Sequence, residues 1–259
     1  REILGMCTAW STLARRSGRR KGLRASNRAF FRSSLPVYSD KRRIPTWSSR
    51  GSSCPRAARG SPAGSSGGGA SGLMAAYAAA KNGNAVLLIE KNEKLGKKIY
   101  ITGKWRCNLT NDTSPDGFFA NVVRGGKFLR GAVYAFSPRD TMEFFSSHGL
   151  MLKTERGNRV FPASDHASDV TKTLEKACRE AGAEIHLGET AERLCIQSVM
   201  SDIGIMSRIT GVRTDRAEYE CDEAIVCTGG LSYPSTGSTG DGYRFAKEAG
   251  HSVVEARPS

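Results

Sequence analysis

The sequence has few of the features that mark membrane proteins and metal-binding proteins. Its longest apolar runs are far shorter than the ~18–20 residues of a transmembrane helix, so no membrane span is predicted. The seven cysteines are odd in number and form no C-x-x-C pair, which argues against a zinc site or a disulfide framework. The four histidines stand far apart in the chain with no metal-like spacing. We therefore predict no metal site and read the thiols as reduced and intracellular.

Acidic residues are nearly absent from the first quarter of the chain. Residues 1–66 contain 15 Lys and Arg but only Glu2 and Asp40, a net charge of +13. The total formal charge is +14, so residues 67–259 carry only +1. The basic character belongs to the first segment, and it does not by itself indicate a nucleic-acid or membrane function for the remainder.

The same segment, residues 1–66, is rich in Arg, Ser and Gly and shows neither helical nor strand periodicity. Such a composition buries too little apolar surface to offset the entropy of ordering, so we predict a disordered segment. Three origins stay open: an organellar transit peptide, a basic arm that contacts nucleic acid, and a stretch translated out of frame. We favour the out-of-frame origin. The expected location is then cytoplasmic, and it is organellar only if the segment is a genuine transit peptide.

From Gly67 onward, patterns typical of helices and strands alternate. The predicted helices span residues 71–82, 137–147, 168–181 and 242–249, and the predicted strands span 85–90, 184–187, 191–199, 207–214 and 218–227. This order predicts an α/β fold in which residues 67–259 form a Rossmann-like domain, a parallel sheet with helices and an antiparallel β addition.

A glycine-rich loop, Gly67-Gly68-Gly69-Ala70-Ser71-Gly72, satisfies G-x-G-x-x-G and leads directly into the first predicted helix. In a dinucleotide-binding loop, Gly67 would permit the tight turn and Gly69 would let the backbone approach a pyrophosphate. Gly72 would allow close packing of helix and strand. The helix N-terminus at Ala70 and Ser71 would attract the phosphates. A flexible Gly/Ser linker is the alternative.

Glu90 ends the predicted strand that follows this helix, 23 residues beyond Gly67. A carboxylate at this place can accept hydrogen bonds from both ribose hydroxyls of an adenine dinucleotide, and it disfavours a 2′-phosphate. FAD or NAD therefore fits better than NADP, unless Glu90 simply begins a charged loop. The fingerprint also requires an apolar strand before the glycines, and residues 61–66 (SPAGSS) do not supply one. We therefore predict that the first strand is missing, as a frame slip close to Gly67 would explain.

Three further stretches make the pattern more specific: residues 90–111 (EKNEKLGKKIYITGKWRCNLTN), 155–169 (ERGNRVFPASDHASD) and 228–242 (TGGLSYPSTGSTGDG). Together with the glycine loop they resemble the BaiN-like or aminoacetone-oxidase-like family of bacterial NAD(P)/FAD-dependent oxidoreductases. These flavoproteins are distantly related to fumarate reductase. The resemblance runs from Gly67 to Ser259.

The resemblance implies that the I-T-G-x-x-R-C-N stretch lies against the flavin side of FAD and that Arg106 or Lys98 balances phosphate charge. It implies that Thr228 belongs to a second FAD signature and that Ala191 meets the adenine. Asp241 is assigned only loosely, since it can equally cap the last helix. The family usually has Gly where this sequence has Trp105. The residues predicted to bind FAD are Gly67, Gly69, Ala70, Ser71, Gly72, Glu90, Lys91, Lys98, Thr102, Gly103, Arg106, Cys107, Asn108, Ala191, Thr228, Gly229, Gly230 and Asp241.

The function implied by the resemblance is that of an FAD-dependent oxidoreductase acting on a small molecule, with NAD(P)H as the implied electron donor. No catalytic acid or base is identified, and the sequence is expected to stop before the substrate-side region. Three alternatives stay open: an NAD-dependent Rossmann dehydrogenase, a non-functional fragment of a flavoprotein gene, and a basic-arm nucleic-acid binder. The last is disfavoured, because the aromatic residues are scattered and form no stacking series interleaved with the arginines, and no nucleic-acid partner is predicted.

Overall fold

A computed structural model of the protein describes residues 63–201 and 204–256. Disorder is predicted for residues 1–66, and residues 1–62 of that segment lie outside the described residues. The helices of the described part are α1 (Ala70–Lys81), α2 (Lys97–Ile101), α3 (Pro115–Ala120), α4 (Gly126–Ala135), α5 (Pro138–Ser147), α6 (Ala167–Glu180) and α7 (Asp241–Glu248), with a 3-10 turn at Pro234–Thr236. The strands are β1 (Ala63–Ser66), β2 (Val86–Glu90), β3 (Thr110–Asn111), β4 (Leu152–Glu155), β5 (Arg159–Pro162), β6 (Ala183–Leu187), β7 (Ala191–Ser201), β8 (Gly204–Thr214), β9 (Glu218–Glu220) and β10 (Glu223–Val226).

Three sheets make up the β structure of the described residues. The largest has the order β10-β1-β2-β6, and all of its pairs are parallel. Two three-stranded antiparallel sheets accompany it, with the orders β3-β5-β4 and β7-β8-β9. These sheets and helices agree with the predicted fold class, a parallel sheet with helices and an antiparallel addition.

The prediction that the first strand is missing is wrong. Ala63–Ser66 forms β1 in the middle of the parallel sheet, and Ser66 pairs with Val226 on one edge and with Ile89 on the other. A strand that is flanked on both sides has its backbone groups paired along both edges, so it does not depend on the apolar side chains that SPAGSS lacks. The frame slip inferred next to Gly67 rested on this missing strand and loses its support at residues 63–66.

The core lies between the parallel sheet and the helices α1 and α6. Every residue of β2 is buried, as expected of a strand with neighbours on both edges and covered faces. Helix α1 buries nine of its twelve residues, most of them alanines, which favour the helix and allow close packing against α6. This packing positions the glycine loop between β1 and α1.

Candidate cofactor site

A cleft of about 620 Å³ opens where the parallel strands end. Its walls come from the loops after β1, β2 and β10, from the segment after α2, and from the turn between β6 and β7. The carboxyl edge of a parallel sheet is where doubly wound folds bind their ligands. The cleft therefore lies where the sequence places its candidate residues.

The glycines of the loop have three separate roles in this geometry. A Cβ on Gly67, whose φ is +108°, would lie 2.4 Å from the carbonyl oxygen of Cys227, and a Cβ on Gly72 would lie 1.7 Å from that of Gly67. A Cβ on Gly69 would meet nothing within 4 Å. Gly67 and Gly72 are therefore required by the packing of the fold, whereas Gly69 borders open space in the cleft.

Helix α1 starts at this open space. Gly69 is its N-cap, no side chain caps the helix, and its first turn holds no acidic residue. Gly69, Ala70 and Ser71 all line the cleft. An uncapped N-terminus with the positive end of the helix dipole is a favourable place for a phosphate group.

Glu90 is buried, with 7% of its surface exposed, and its carboxylate holds the glycine loop. One oxygen accepts a hydrogen bond from the Gly68 N–H (2.5 Å), and the other accepts from the backbone N–H (2.8 Å) and the side-chain amide (2.5 Å) of Asn92. A carboxylate offers about four acceptor positions, so roughly one remains for a ligand hydroxyl. This differs from the expectation that Glu90 accepts from both ribose hydroxyls.

The opposite wall is formed by the residues between β10 and α7. A Cβ on Gly229 would lie 2.6 Å from the hydroxyl of Ser238, so the chain passes very close to itself here. The Thr228 hydroxyl is buried and has no hydrogen-bond partner among the described residues. Because Thr228 lines the cleft, a polar ligand group could complete its hydrogen bonding.

Two lysines cross from the β2 side of the cleft to this wall. Lys91 Nζ donates to Asp241 (2.8 Å) and to Thr239 (2.6 Å). Burial acts to raise the pKa of Asp241, but the hydrogen bonds from Lys91 and Thr239 outweigh it and lower that pKa below its ordinary value. The charge of Lys91 is thus already balanced.

Lys98 differs, because Nζ donates only to the backbone and side-chain oxygens of Ser232, at 3.0 and 2.9 Å. In the described part of the chain no carboxylate lies within ion-pair distance of it. Of the two predicted lysines, Lys98 is therefore the one whose charge is available to a phosphate.

The turn between β6 and β7 closes one end of the cleft. Glu189 N donates to Glu90 O (3.1 Å) and Gly188 N donates to Asn92 O (2.9 Å), so the turn is tied to the end of β2. The Glu189 carboxylate is buried, accepts from the Thr214 hydroxyl (2.6 Å) and lies 2.9 Å from His186 Nδ1. Burial acts to raise the pKa of Glu189, but hydrogen bonds from Thr214, Tyr219 and His186 lower it.

The segment 102–108, which follows α2, borders the cleft beside Ala70. Thr102, Gly103 and Asn108 line it, whereas Arg106 and Cys107 do not. Arg106 instead bonds to Glu155 and Asp165, and Cys107 is buried. Trp105 is 69% exposed and does not line the cleft, so its bulk does not narrow the cleft.

Most of the residues predicted from the sequence converge on this one cleft. Those that line it are Gly67, Gly69, Ala70, Ser71, Glu90, Lys91, Lys98, Thr102, Gly103, Asn108, Ala191, Thr228, Gly229, Gly230 and Asp241. Gly72, Arg106 and Cys107 do not line it. Sequence reasoning missed Asn92, Glu189, Ser232 and Ser238. Asn92 follows Glu90 by two residues, and Ser232 and Ser238 lie within the quoted stretch 228–242, whereas Glu189 carried no such signal.

Neither metal ligands nor membrane helices are found in residues 63–201 and 204–256. Nowhere in these ranges do three His, Cys, Asp or Glu side chains lie close enough to hold a metal ion. No helix in them is both long and apolar enough to cross a bilayer.

Comparison with known proteins extends these observations. The chain is 37% identical over 197 residues to the 3-dehydro-bile acid delta(4,6)-reductase of Clostridium scindens, covering 74% of this chain and 45% of the relative. It is 26% identical over 194 residues to the ribosomal RNA dihydrouridine synthase of Haemophilus influenzae, covering 74% and 46%. The chain thus spans slightly less than half the length of these curated relatives.

The fold is shared with a solved flavoprotein. The open conformation of a flavocytochrome c3 fumarate reductase matches with a TM-score of 0.54 at 18% identity, covering 74% of this chain and 41% of that one. The predicted α/β fold class and the predicted family resemblance are both confirmed. Since residues 66–256 match the HI0933-like protein Rossmann domain, the chain belongs to that family.

Proposed function

We propose that the cleft binds FAD and that the chain is the dinucleotide-binding part of an FAD-dependent oxidoreductase. The observation that carries this proposal is the uncapped N-terminus of α1 at Gly69, where a Cβ would meet only open space, beside the buried Glu90. These are the two recognition elements of a dinucleotide fold. Membership of the HI0933-like Rossmann family supports it.

The residues of the cleft suit the parts of FAD. The pyrophosphate suits the start of α1 with the ammonium of Lys98, and the remaining acceptor position of Glu90 suits one ribose hydroxyl. The end closed by Ala191 suits the adenine, which leaves the end at Thr102 for the flavin ring. Bound FAD would supply the hydride-transfer chemistry, while these residues bind and orient it.

The names of two relatives support a proposal for the substrate class. A 3-dehydro delta(4,6) bile acid carries double bonds conjugated with a ketone, and dihydrouridine is uridine whose carbonyl-conjugated C5–C6 double bond has been reduced. We extend this chemistry to the present protein: a hydride adds to the carbon farther from the carbonyl and a proton to the nearer carbon. The hydride would come ultimately from NAD(P)H, and the substrate would be a small molecule.

The first test is cofactor retention by the 259-residue chain. The purified protein is mixed with FAD, FMN or NAD⁺ in separate samples and then desalted. We expect the visible flavin absorption to travel with the protein after FAD and not after FMN, because FMN lacks the adenosine that Glu90 and Ala191 would hold. Retention of NAD⁺ with no retention of FAD would replace this proposal with the dehydrogenase alternative.

A matched pair of variants tests whether FAD binds in the cleft. The Glu90 carboxylate accepts hydrogen bonds from the loop and, in this proposal, from a ribose hydroxyl. Glu90→Gln replaces this carboxylate with a neutral amide, and we expect it to weaken FAD binding roughly 10- to 100-fold. Glu93→Gln is the control, because Glu93 is an exposed residue of the same loop that pairs only with Lys97. Equal FAD affinities of the two variants would contradict the proposed site.

A further inference from the structure

The segment 102–108 adopts an unfavourable backbone conformation. Gly103, Lys104, Trp105 and Cys107 all have positive φ values, of 56°, 57°, 71° and 59°. Residues other than glycine disfavour this left-handed region, so such a segment persists only where its surroundings fix it. Three residues of the same segment, Thr102, Gly103 and Asn108, line the cleft.

The Arg106 side chain anchors the segment from the side that does not line the cleft. Its guanidinium donates to both oxygens of Glu155, at 2.7 and 3.1 Å, and to Asp165 at 3.1 Å. It also lies 4.2 Å from the centre of the Phe161 ring. Lys153 joins the group through Asp165 at 2.6 Å. We call Arg106, Lys153, Glu155 and Asp165 the Arg106 cluster.

The cluster connects the segment to a separate part of the fold. Lys153 and Glu155 belong to β4, and Asp165 lies in the turn before α6. Two backbone bonds reinforce the connection, since Ala167 N donates to Trp105 O (3.2 Å) and Leu109 N donates to Val160 O (2.9 Å). A bidentate arginine–carboxylate pair fixes orientation as well as distance, so this contact, together with the backbone bonds, holds the segment against β4 and the turn before α6.

Both carboxylates of the cluster are in their charged form at neutral pH. The hydrogen bond from Arg106 lowers the pKa of Glu155, and the hydrogen bond from Lys153 lowers the pKa of Asp165. Arg106 therefore faces two negative charges and has no excess charge to offer a phosphate.

The place of the segment along the cleft follows from its neighbours. Glu90 and Glu189, which are joined by a backbone hydrogen bond, lie at the end of the cleft proposed for the adenosine. The Gly68 N–H donates to the Glu90 carboxylate and so connects this end to the glycine loop. Ala70, at the start of α1, borders Thr102 and Asn108 around a small apolar cavity. The pyrophosphate position thus lies between the adenosine end and the segment, so that the flavin ring would contact the segment.

We infer that Arg106 is a positioning residue which, through Glu155 and Asp165, fixes the segment 102–108 as the wall against the flavin ring, and that it does not contact phosphate. This inference rests on the proposed function, because it presupposes that FAD binds in the cleft. It replaces the expectation that Arg106 balances phosphate charge.

The test compares FAD with ADP, which contains the adenosine and both phosphates but no flavin. Dissociation constants of both ligands are measured for the wild-type chain, Arg106→Gln and Glu155→Gln. We expect both variants to bind FAD at least about tenfold more weakly and to bind ADP within about twofold of wild type. A phosphate contact would instead weaken ADP as much as FAD in Arg106→Gln and leave Glu155→Gln close to wild type.

Controls separate positioning from general stability. Arg179→Gln breaks a comparable arginine–glutamate pair, with Glu175 on α6 at 2.9 and 3.0 Å, and is expected to leave both affinities unchanged. The double variant Arg106→Gln/Glu155→Gln should be no worse than Arg106→Gln alone, because the Arg106–Glu155 pair is already broken in that single variant. The visible spectrum of bound FAD should change in the two single variants and not in Arg179→Gln.

The outcomes distinguish the two proposals. If the wild-type chain retains no FAD, the proposed function fails. If it binds FAD and both cluster variants bind FAD equally well, only the positioning role fails. Should Arg106→Gln lose ADP binding because it does not fold, Asp165→Asn is the milder variant: it weakens the contacts of Asp165 with Arg106 and Lys153 and keeps the Arg106–Glu155 pair. Unchanged FAD affinity in Asp165→Asn then overturns the inference.

Discussion

Two glycines of one loop, Gly69 and Gly72, should respond differently to replacement by alanine. In Gly72→Ala the new methyl group would lie 1.7 Å from a backbone oxygen, which forces α1 away from β1 and destabilises the fold by about 1–3 kcal/mol. In Gly69→Ala the methyl group meets open space and the φ of −80° suits alanine, so stability is unchanged. That methyl group occupies the place expected for a phosphate, and we predict at least about tenfold weaker FAD binding.

Denaturant unfolding and FAD titration of both variants check this prediction. Gly83→Ala serves as a control, because its Cβ would meet nothing within 4 Å and only its φ of +84° opposes the change. It should lose some stability and keep FAD affinity. Wild-type FAD affinity in Gly69→Ala would mean that no ligand approaches this part of the loop.

Single residues were predictable where a short motif fixes their role. The spacing of the glycine loop and Glu90 places them at one strand edge, because both belong to one β-α-β unit. The partners of Arg106 were not predictable in this way, since Glu155 and Asp165 lie 49 and 59 residues away along the chain. Contacts of such separation depend on how β4 and α6 pack, which no local pattern encodes.

At the scale of elements, four helices were predictable because a glycine of positive φ follows their last turn, at Gly83, Gly149, Gly182 and Gly250. Helices α1, α5, α6 and α7 lie within about two residues of their predicted bounds. At α5 the side chain of Ser137 accepts from the backbone of Asp140, whose carboxylate accepts from the backbone of Ser137. Helices α2, α3 and α4 were missed, and the predicted strand 218–227 is divided into β9 and β10.

The β6–β7 turn should give the protein a specific sensitivity to acid. Glu189 has a lowered pKa because hydrogen bonds from Thr214, Tyr219 and His186 outweigh its burial. A lowered folded-state pKa contributes stability that is present above the ordinary value of 4.5 and is lost as the pH falls through the folded value. We predict that Glu189→Gln is less stable than wild type at pH 7 and loses less stability below pH 4.5.

Unfolding midpoints measured at a series of pH values test this effect. His186 contacts Glu189, and Glu184 and Tyr219 contact His186, so the test compares variants of one residue at a time. Glu192→Gln, which changes an exposed carboxylate in the adjacent strand β7, is the control. If Glu189→Gln and Glu192→Gln have the same acid profile, the buried carboxylate does not carry the effect.

At the scale of the whole molecule, β1 is what joins the two walls of the cleft. It pairs with β2, which ends in Glu90, and with β10, which leads into Thr228. Neighbouring strands along the chain pair easily, but β10 comes more than 150 residues after β1. Small residues are enough for a strand held on both edges, which is why an apolar pattern failed to predict it.

Ser65→Pro should therefore disrupt both folding and cofactor binding. Ser65 pairs with Leu88 on one side and Ile225 on the other, and proline in a central strand removes a backbone donor, at a cost of about 3 kcal/mol or more. We expect a large fall in the unfolding midpoint and loss of FAD binding. Lys127→Pro is the control, because it lies exposed in the first turn of α4, where proline is tolerated. If Ser65→Pro unfolds like wild type, the sheet does not need β1, and the interpretation that the fold begins at Gly67 regains its support.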